Sequence, residues 1–447
     1  MSRGIVRGGN NTGGGVVDGV IADFIVDTGY AISAGDLIKF VENKVRKENV
    51  NFYGMDGNIT AVEQGSVIRN MWAVSYDTDK VFIVYRLSSG DIYGILVTIN
   101  NDVVTVGSPV LVATNPNGEP SGMSKLTSSL VCVCYSEDSV VTGSKTFLQL
   151  VSISGETITS GTVFTTATFK PIWTYSFLAV YGSDTKFAIF GNDKYIRGCV
   201  FTYSGVTITA QGTITNIIST RDVNGHWGSC VQLDSTRVLC FGEGTTANFY
   251  LNANIATIDW DNDIISAGTI TEIFTHRSYR RPCAILLETN KVLFVGYCLD
   301  DTNSRACVVT ISGSTISVGT VLILSSSISE LLLFRINSSR VLVLNSLGYT
   351  LGEGFFLSIS GTDITQEGNK FNFSYFLSNE TTTSQNDLML PISVSYNTNK
   401  FLFPNKSVDK KNLILRRFEI KRAPEGLAKT AGSAGNTISC YDWRKSQ

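Results

Sequence analysis

The sequence has little charge, little proline and almost no histidine. Only 17% of its 447 residues are charged, eight are proline and two are histidine. The 36 Lys and Arg residues nearly balance the 38 Asp and Glu residues, so the net charge is -2 and no general positive field attracts a polyanion or an anionic membrane. We therefore expect no nucleic-acid partner.

Long hydrophobic runs are also missing. Gly, Ser, Asp or Lys interrupts every apolar run within about ten residues, whereas a membrane helix needs roughly 18 to 20. The glycine-rich opening has no apolar core behind its arginines, so it does not read as a secretion signal. These absences predict a protein that is made in a cytoplasm and does not insert into membranes.

Motifs for metal or nucleotide chemistry are absent as well. His226 and His276 have no ligand partner at metal-type spacing, and the sequence contains no CxxC, HExxH or GxxxxGK[ST] motif. Cys132 and Cys134 fall on one face of an apolar strand, where core packing is the favoured interpretation. We expect no metal, no cofactor and no disulfide framework among the nine cysteines.

The residues that are abundant indicate an all-β protein. Hydrophobic residues make up 43% of the chain, and the 41 glycines accompany many Ser, Thr, Val and Ile residues. A phrase such as TISVGT or TITSGT, with a β-branched residue before a glycine, occurs seven times. Its glycines are Gly65, Gly107, Gly161, Gly212, Gly268, Gly319 and Gly368. The spacing of 42 to 56 residues suits a four-stranded repeat unit with loops of unequal length.

A second phrase also occurs seven times, and it consists of a polar turn followed by an apolar strand that usually begins with a basic residue. Its marker residues are Lys80, Ser129, Lys186, Arg237, Lys291, Arg340 and Lys400. Turns such as ISGSTI put Ser-Gly between the third and fourth strands, where glycine can adopt the positive φ of a tight hairpin. The two phrases together predict a seven-bladed β-propeller.

The order of the copies predicts how the ring closes. The first glycine phrase precedes any complete unit, and the last unit stops after its third strand. Residues 58 to 68 would supply the missing outer strand of the last blade and so remove an open edge. The predicted propeller spans residues 51–421, and segments 1–50 and 422–447 would together form one small β module.

The terminal segments resemble parts of tailed-bacteriophage virion proteins. In these proteins a phrase like I-S-A-G-D-L, here Ile32 to Leu37, is partnered by a late phrase G-x-A-x-x-x-G-x-A-G-x-x-I, here Gly426 to Ile438. The repeats TISGSTISVGT and SISGETITSGT also look like repeats of phage structural propellers. The resemblance covers the whole chain and implies a virion protein that projects a propeller from an anchored module. The implied anchor residues are Ile32, Gly35, Asp36, Gly432, Gly435 and Ile438.

A decoration role on the capsid and a role in a tail fibre or baseplate both remain open. The implied partners are the major capsid or a tail protein, with a host surface glycan for a receptor-binding protein. Aromatic and arginine side chains in long loops of one face would provide such a surface. These candidate binding residues are Trp227, Arg277, Tyr279, Arg280, Phe373 and Tyr375.

We expect no enzyme, although propeller glycosidases exist. Such a site needs converging carboxylates, or a tyrosine with arginines drawn from several blades. Arg277, Tyr279, Arg280 and Arg281 instead fall in one short segment, 275–281, which the pattern predicts to be a loop. The S-x-D-x-G-x-T-W boxes of sialidases are also missing. A solvated loop is the favoured interpretation of this segment, followed by a binding contact.

Overall fold

The computed structural model describes the following residues: 20–26, 31–32, 38–41, 44–47, 56–63, 67–77, 79–100, 103–114, 119–136, 146–166, 177–192, 195–219, 228–244, 250–277, 279–298, 303–324, 330–346, 351–374, 394–397, 400–406, 412–419, 427–428, 432–433 and 437–441. These residues form strands, turns and short connections, and none of them is helical. They contain no helix that is long and apolar enough to cross a membrane. The all-β prediction is confirmed for this part of the chain.

The chain divides into two compact units. The terminal module comprises Met1–Gly54, Gly368–Phe371 and Glu419–Gln447, and the sheet unit comprises Met55–Glu367 and Asn372–Phe418. The N-terminal strands are β1 (Val20–Val26), β2 (Ala31–Ile32), β3 (Ile38–Val41), β4 (Lys44–Lys47) and β5 (Asp56–Glu63). The first four belong to the module, whereas β5 belongs to the sheet unit.

The sheet unit contains successive antiparallel sheets, and the first three use five consecutive strands each. Sheet 1 consists of β6 (Ile68–Asp77), β7 (Lys80–Leu87), β8 (Ile92–Asn100), β9 (Val103–Val106) and β10 (Val110–Ala113). Sheet 2 consists of β11 (Glu119–Lys125), β12 (Leu130–Ser136), β13 (Thr146–Ser154), β14 (Thr157–Ser160) and β15 (Phe164–Thr165). Sheet 3 consists of β16 (Leu178–Ser183), β17 (Lys186–Asn192), β18 (Tyr195–Ser204), β19 (Thr207–Gln211) and β20 (Thr215–Ser219).

Sheets 4 and 5 repeat this plan, and sheet 6 has four strands. Sheet 4 consists of β21 (Gly228–Gln232), β22 (Arg237–Glu243), β23 (Tyr250–Asp259), β24 (Ile264–Ala267) and β25 (Thr271–Arg277). Sheet 5 consists of β26 (Tyr279–Glu288), β27 (Lys291–Cys298), β28 (Ser304–Ser312), β29 (Thr315–Val318) and β30 (Leu322–Leu324). Sheet 6 consists of β31 (Glu330–Asn337), β32 (Arg340–Ser346), β33 (Leu351–Ser360) and β34 (Asp363–Ser374).

The last sheet of this unit joins strands from distant parts of the sequence. The C-terminal strands are β35 (Val394–Asn397), β36 (Lys400–Lys406), β37 (Asn412–Glu419), β38 (Leu427–Ala428), β39 (Gly432–Ser433) and β40 (Thr437–Tyr441). Sheet 7 has the order β35-β36-β37-β5, and β5 pairs antiparallel with β37. The strand that the sequence analysis expected from 58–68 therefore pairs at the predicted place, over residues 56–63.

The apolar core lies between consecutive sheets. Middle strands such as β7 and β27 are buried along almost their whole length, because a neighbouring sheet covers each face. Separate clusters join sheet 1 to sheet 2, sheet 2 to sheet 3, and so on to sheet 6. First strands also contact one another from β6 through to β31, and β35 contacts β6. Face-to-face packing of repeated four- and five-stranded antiparallel sheets is consistent with a β-propeller.

The predicted Ser-Gly hairpins are confirmed between the third and fourth strands. The turn glycines have φ angles between +59° and +62° and are Gly155, Gly205, Gly313 and Gly361. Sheet 4 has no glycine at this turn, and Asp263 adopts φ 58° instead. A short polar side chain tolerates this left-handed conformation better than an apolar one.

The glycine of the first repeat phrase marks a break in the fourth strand. The sequence predicts one continuous fourth strand, but in sheets 1 to 5 this strand is split into two short strands that both pair with the third strand. The glycine follows the first of the two short strands, and its N–H donates to a third-strand carbonyl, as from Gly107 to Leu96 at 2.8 Å and from Gly319 to Val308 at 2.8 Å. Gly368 instead lies within the unbroken β34, and Gly65 lies outside the described residues.

At some of these glycines the next sheet comes close. A Cβ atom at Gly161 would collide with the backbone oxygen of Val206, and one at Gly319 would lie 2.6 Å from Cβ of Thr362. Val206 and Thr362 belong to the hairpin turns of the following sheets. The missing side chain therefore allows the turn of one sheet to rest on the edge of the sheet before it.

We predict that Gly161→Ala lowers the free energy of unfolding by about 2 to 3 kcal/mol, because the methyl group must displace backbone rather than a flexible side chain. Chemical denaturation of the full chain measures the effect. Gly107→Ala is the matched control: its Cβ would lie 3.2 Å from the Leu96 oxygen. This milder contact should cost under about 1 kcal/mol. Equal losses in the two variants would contradict the close-approach argument.

Candidate functional site

The predicted binding segment 275–281 is not a loop. Arg277 ends β25, and Tyr279 and Arg280 begin β26, so only one residue separates two strands of neighbouring sheets. Arg277 pairs with Tyr250, and Arg280 pairs with Tyr297. The loop prediction is wrong here because ladder pairing with these partners extends both strands. The arginines and the tyrosine are thus held on strand backbone at the junction of sheets 4 and 5.

The other predicted loop aromatics are dispersed along the chain. Phe373 lies within β34, because this strand continues into the segment that was expected to be a loop. Trp227 and Tyr375 lie outside the described residues. Trp72, by contrast, packs with the clusters on both faces of sheet 1, and its Nε1–H donates to the Pro120 carbonyl of sheet 2 at 2.9 Å.

The terminal module brings the two ends of the chain into shared sheets. Its main sheet has the order β3-β4-β1-β40-β38, with β1 antiparallel to β40 and parallel to β4. Ile438 of β40 is the direct partner of Phe24 in β1. A C-terminal strand therefore lies between an N-terminal strand and β38.

The two phrases that carry the phage resemblance pair directly with each other. In the two-stranded sheet β2-β39, Ile32 is opposite Gly432 and Ala31 is opposite Ser433. Gly35, Asp36 and Gly435 lie outside the described residues. The first residue of the N-terminal phrase and the central glycine of the C-terminal phrase are thus neighbours.

The basic residue of the second repeat phrase ties neighbouring sheets together. Nη2 of Arg237 in sheet 4 donates to Oδ1 of Asn290 at 2.7 Å, and Nη1 donates to the Gly313 carbonyl at 3.2 Å, both in sheet 5. Its Nε donates to Oδ2 of Asp234 at 2.7 Å. One guanidinium thus connects its own turn with two turns of the following sheet.

The carboxylate of Asp234 also binds backbone N–H groups of its own turn. Its Oδ1 accepts the N–H groups of Thr236 at 2.9 Å and Arg237 at 2.8 Å. Burial acts to raise the pKa of Asp234, but the hydrogen bonds from Thr236 and Arg237 outweigh it and lower the pKa below its ordinary value of 3.8. The carboxylate is therefore charged in the folded protein at neutral pH.

Lys186 makes an equivalent contact one sheet earlier. Its Nζ donates to the Trp260 carbonyl at 2.7 Å and lies 2.8 Å from Oδ1 of Asp263, both in the hairpin turn of sheet 4. Gly182 of sheet 3 lies beneath the Trp260 indole, since a Cβ there would meet the ring at 2.5 Å. The second repeat phrase marks these basic positions, but the sequence does not reveal that their side chains contact the following sheet.

Two buried amides also join sheets, and the sequence analysis missed both. Gln149 donates to the Val112 carbonyl of sheet 1 at 2.8 Å and accepts the Tyr135 hydroxyl at 2.6 Å. Asn254 donates to the Ile217 carbonyl of sheet 3 at 2.9 Å. A lone amide inside an apolar strand, as in FLQLVSI and LNANIAT, is the signal that could have found them.

Burial lowers the reactivity of three of the described thiols, because it disfavours their thiolate forms. Burial raises the pKa of Cys134 and of Cys199 to about 12, and that of Cys283 to about 11. The eight cysteines whose side chains are described form no disulfide. Cys132 and Cys134 are buried in one cluster, as predicted. Among the residues that the structure describes, no group of three or more His, Cys, Asp or Glu side chains could hold a metal ion.

The chain matches no family model and no curated protein. Among solved structures it is similar to a periplasmic gluconolactonase of Pseudomonas aeruginosa, with 11% identity and a TM-score of 0.49 over 84% of this chain and 99% of that chain. It is also similar to an oligogalacturonate lyase of Vibrio parahaemolyticus, with 10% identity and a TM-score of 0.47 over 89% and 99%. A lectin solved with alpha methyl fucoside has 12% identity and a TM-score of 0.37 over 69% and 98%. At these values no activity or ligand carries over to this chain.

We predict that Arg237→Met lowers the free energy of unfolding at pH 7 by about 1 to 2 kcal/mol, since the guanidinium is only partly exposed and joins three turns. Because the pKa of Asp234 is lowered in the folded state, its contribution is complete above the unfolded pKa and is lost as the pH falls through the folded pKa. The difference in the free energy of unfolding between wild type and variant should therefore shrink once the pH falls below the folded-state pKa of Asp234. Urea titrations at several pH values measure this difference.

Lys291→Met is the control for this prediction. Lys291 occupies the same place in sheet 5, and its side chain makes no hydrogen bond or ion pair with the described residues. Its replacement should change stability by less than about 0.5 kcal/mol. A loss as large as that of Arg237→Met would show that the contacts to sheet 5 are not the cause.

Proposed function

We propose that this chain is a non-enzymatic structural protein of a tailed-phage particle. Its terminal module attaches to the major capsid or to a tail protein, and its propeller is displayed on the particle exterior. The observation that carries the proposal is the pairing of Ile32 with Gly432, because it joins the two phrases that resemble phage virion proteins. The protein is made in the host cytoplasm and acts in the virion.

The propeller of this proposal has seven blades and is a closed ring. Two observations support closure: β5 pairs with β37, and β35 contacts β6, so the last sheet meets both the start of the unit and the first sheet. A closed ring leaves no first or last sheet with an uncovered apolar face.

A receptor- or glycan-binding tail protein is the second candidate. It is favoured by Arg277, Tyr279 and Arg280, which stand together at the junction of sheets 4 and 5 on strand backbone. Tyrosine and arginine are residue types that suit the binding of a carbohydrate or an anionic sugar. Phe373, Trp227 and Tyr375 would extend this surface.

Immunogold labelling of intact particles from the source tests the proposal and separates the two candidates. Label distributed over the head is expected for a decoration protein, and label confined to the tail tip would favour receptor binding. Particles without label would overturn the virion assignment.

A variant in the module tests the anchor. We predict that Ile438→Asp, which puts a charge into the inner strand β40 beside β1, reduces the protein copies per particle at least about tenfold. Mass spectrometry of purified particles measures the copy number. Ile270→Asp is the control, because Ile270 is 50% exposed in the sheet unit and should tolerate the charge. Equal incorporation of both variants would argue against attachment through the module.

Two truncations test ring closure. We predict that removal of residues 1–49 leaves a folded propeller, because β5 is retained. Removal of residues 1–65 deletes β5 and exposes the outer edge of sheet 7, so the midpoint of thermal unfolding should fall by several degrees relative to the shorter truncation. Equal unfolding midpoints would contradict a closing role for β5.

A further inference from the structure

Two cysteines face each other across the first hairpin of sheet 4. Cys230 in β21 is the direct register partner of Cys240 in β22, and their Sγ atoms are 3.6 Å apart. No disulfide joins them. The two sulfur atoms are thus in van der Waals contact, and rotation of the side chains would have to bring them to the S–S bond length of about 2.05 Å.

The pairing type at this position suits a cross-strand bond. The N–H of Leu233 donates to the Arg237 carbonyl at 2.9 Å, so these residues form a hydrogen-bonded pair at the start of the ladder. Hydrogen-bonded and non-hydrogen-bonded pairs alternate along antiparallel strands, and Cys230 and Cys240 stand three positions further on. They therefore form a non-hydrogen-bonded pair, whose Cα atoms approach to about 4.5 Å, within the range that a disulfide spans.

The position equivalent to Cys230 and Cys240 holds no cysteine pair in sheets 1, 2, 3, 5 and 6. In sheets 1, 2, 3, 5 and 6 the same position holds two non-cysteine apolar residues. These pairs are Ala73–Ile83, Met123–Val133, Ala179–Ile189, Ala284–Phe294 and Leu333–Val343. Packing at this position therefore does not require thiols, and a pair of them in sheet 4 provides chemistry that the other pairs lack.

We propose that Cys230 and Cys240 are a dithiol modification site, which a small disulfide of the glutathione type oxidises to a cross-strand disulfide. Cys230 is partly exposed and Cys240 is fully buried, so the external reagent meets Cys230 first. Burial and the neighbouring Cys230 raise the pKa of Cys240, which keeps the inner thiol protonated until the outer one has reacted.

The reaction consists of two exchanges. Cys230 loses its proton to solvent, and its thiolate attacks one sulfur of the reagent, which forms a mixed disulfide and releases one thiolate. Cys240 then loses its proton, and its sulfur attacks Sγ of Cys230, which forms the Cys230–Cys240 bond and releases the second thiolate. The two protein thiols lose two electrons, and the reagent becomes two thiols after taking up the two protons.

The bond would fix the first two strands of sheet 4 to each other. These strands otherwise depend on their ladder and on the Asp234 turn. A cross-link within one hairpin restricts the unfolded chain and raises the temperature of unfolding. The site is independent of the proposed virion role, but a reducing cytoplasm and an oxidising exterior would leave it in different states.

Incubation of the full native chain with oxidised glutathione tests the proposal. After acid quenching, denaturation and alkylation, the number of free thiols should fall from nine to seven, since one bond consumes two. Trypsin cleaves after Arg237 and separates the two cysteines, so the bond joins peptide 222–237 to peptide 238–277. Each of these peptides contains one cysteine, and mass spectrometry identifies the linked pair without ambiguity.

The double variant Cys230→Ala with Cys240→Ile is the control, because it reproduces the Ala179–Ile189 pair of sheet 3. Its seven thiols should persist under oxidation, and its unfolding temperature should not change, whereas oxidised wild type should melt above reduced wild type. Nine remaining thiols, a stable glutathione adduct at Cys230 without a cross-link, or a bond between other cysteines would each overturn the proposal.

Discussion

The second strands of sheets 1 to 6 are apolar and buried on both faces, and this constraint governs the rest of the structure. A sheet with two apolar faces cannot be stable in water alone, so each sheet needs a neighbour on both sides. The buried clusters lie between sheets for this reason. Some polar side chains bridge two sheets, as those of Gln149 and Arg237 do.

This constraint explains which parts of the fold could be predicted from the sequence. Strand identity and turn chemistry are local, so alternating patterns and Ser-Gly pairs were sufficient to predict the repeat and the positive φ at Gly205. The pairing of β5 with sheet 7 followed from the incomplete last copy, which is a matter of counting strands. The coarse fold was therefore accessible without tertiary information.

Features that depend on a neighbouring sheet were not accessible in this way. In the sequence, Gly161 looks like an ordinary turn glycine, because its close approach to Val206 of the next sheet depends on tertiary structure. The division of the fourth strand into two short strands was not predicted either. Likewise, Arg277 and Tyr279 look like loop residues because their ladder partners, Tyr250 and Cys298, are distant in the sequence. The candidate binding segment was found by composition, but its conformation depends on these long-range pairs.

The pairing of β5 with β37 also orders events during synthesis. Residues 56–63 leave the ribosome before any of sheets 1 to 6, yet their partner at 412–419 is made after all six of those sheets. Sheets 1 to 6 use consecutive strands and can form as they emerge, whereas β5 must wait with its backbone unpaired. The nascent chain therefore carries an unpaired strand until residues 412–419 have been made, and in this interval the pairing of β5 with a second chain competes with its pairing to β37.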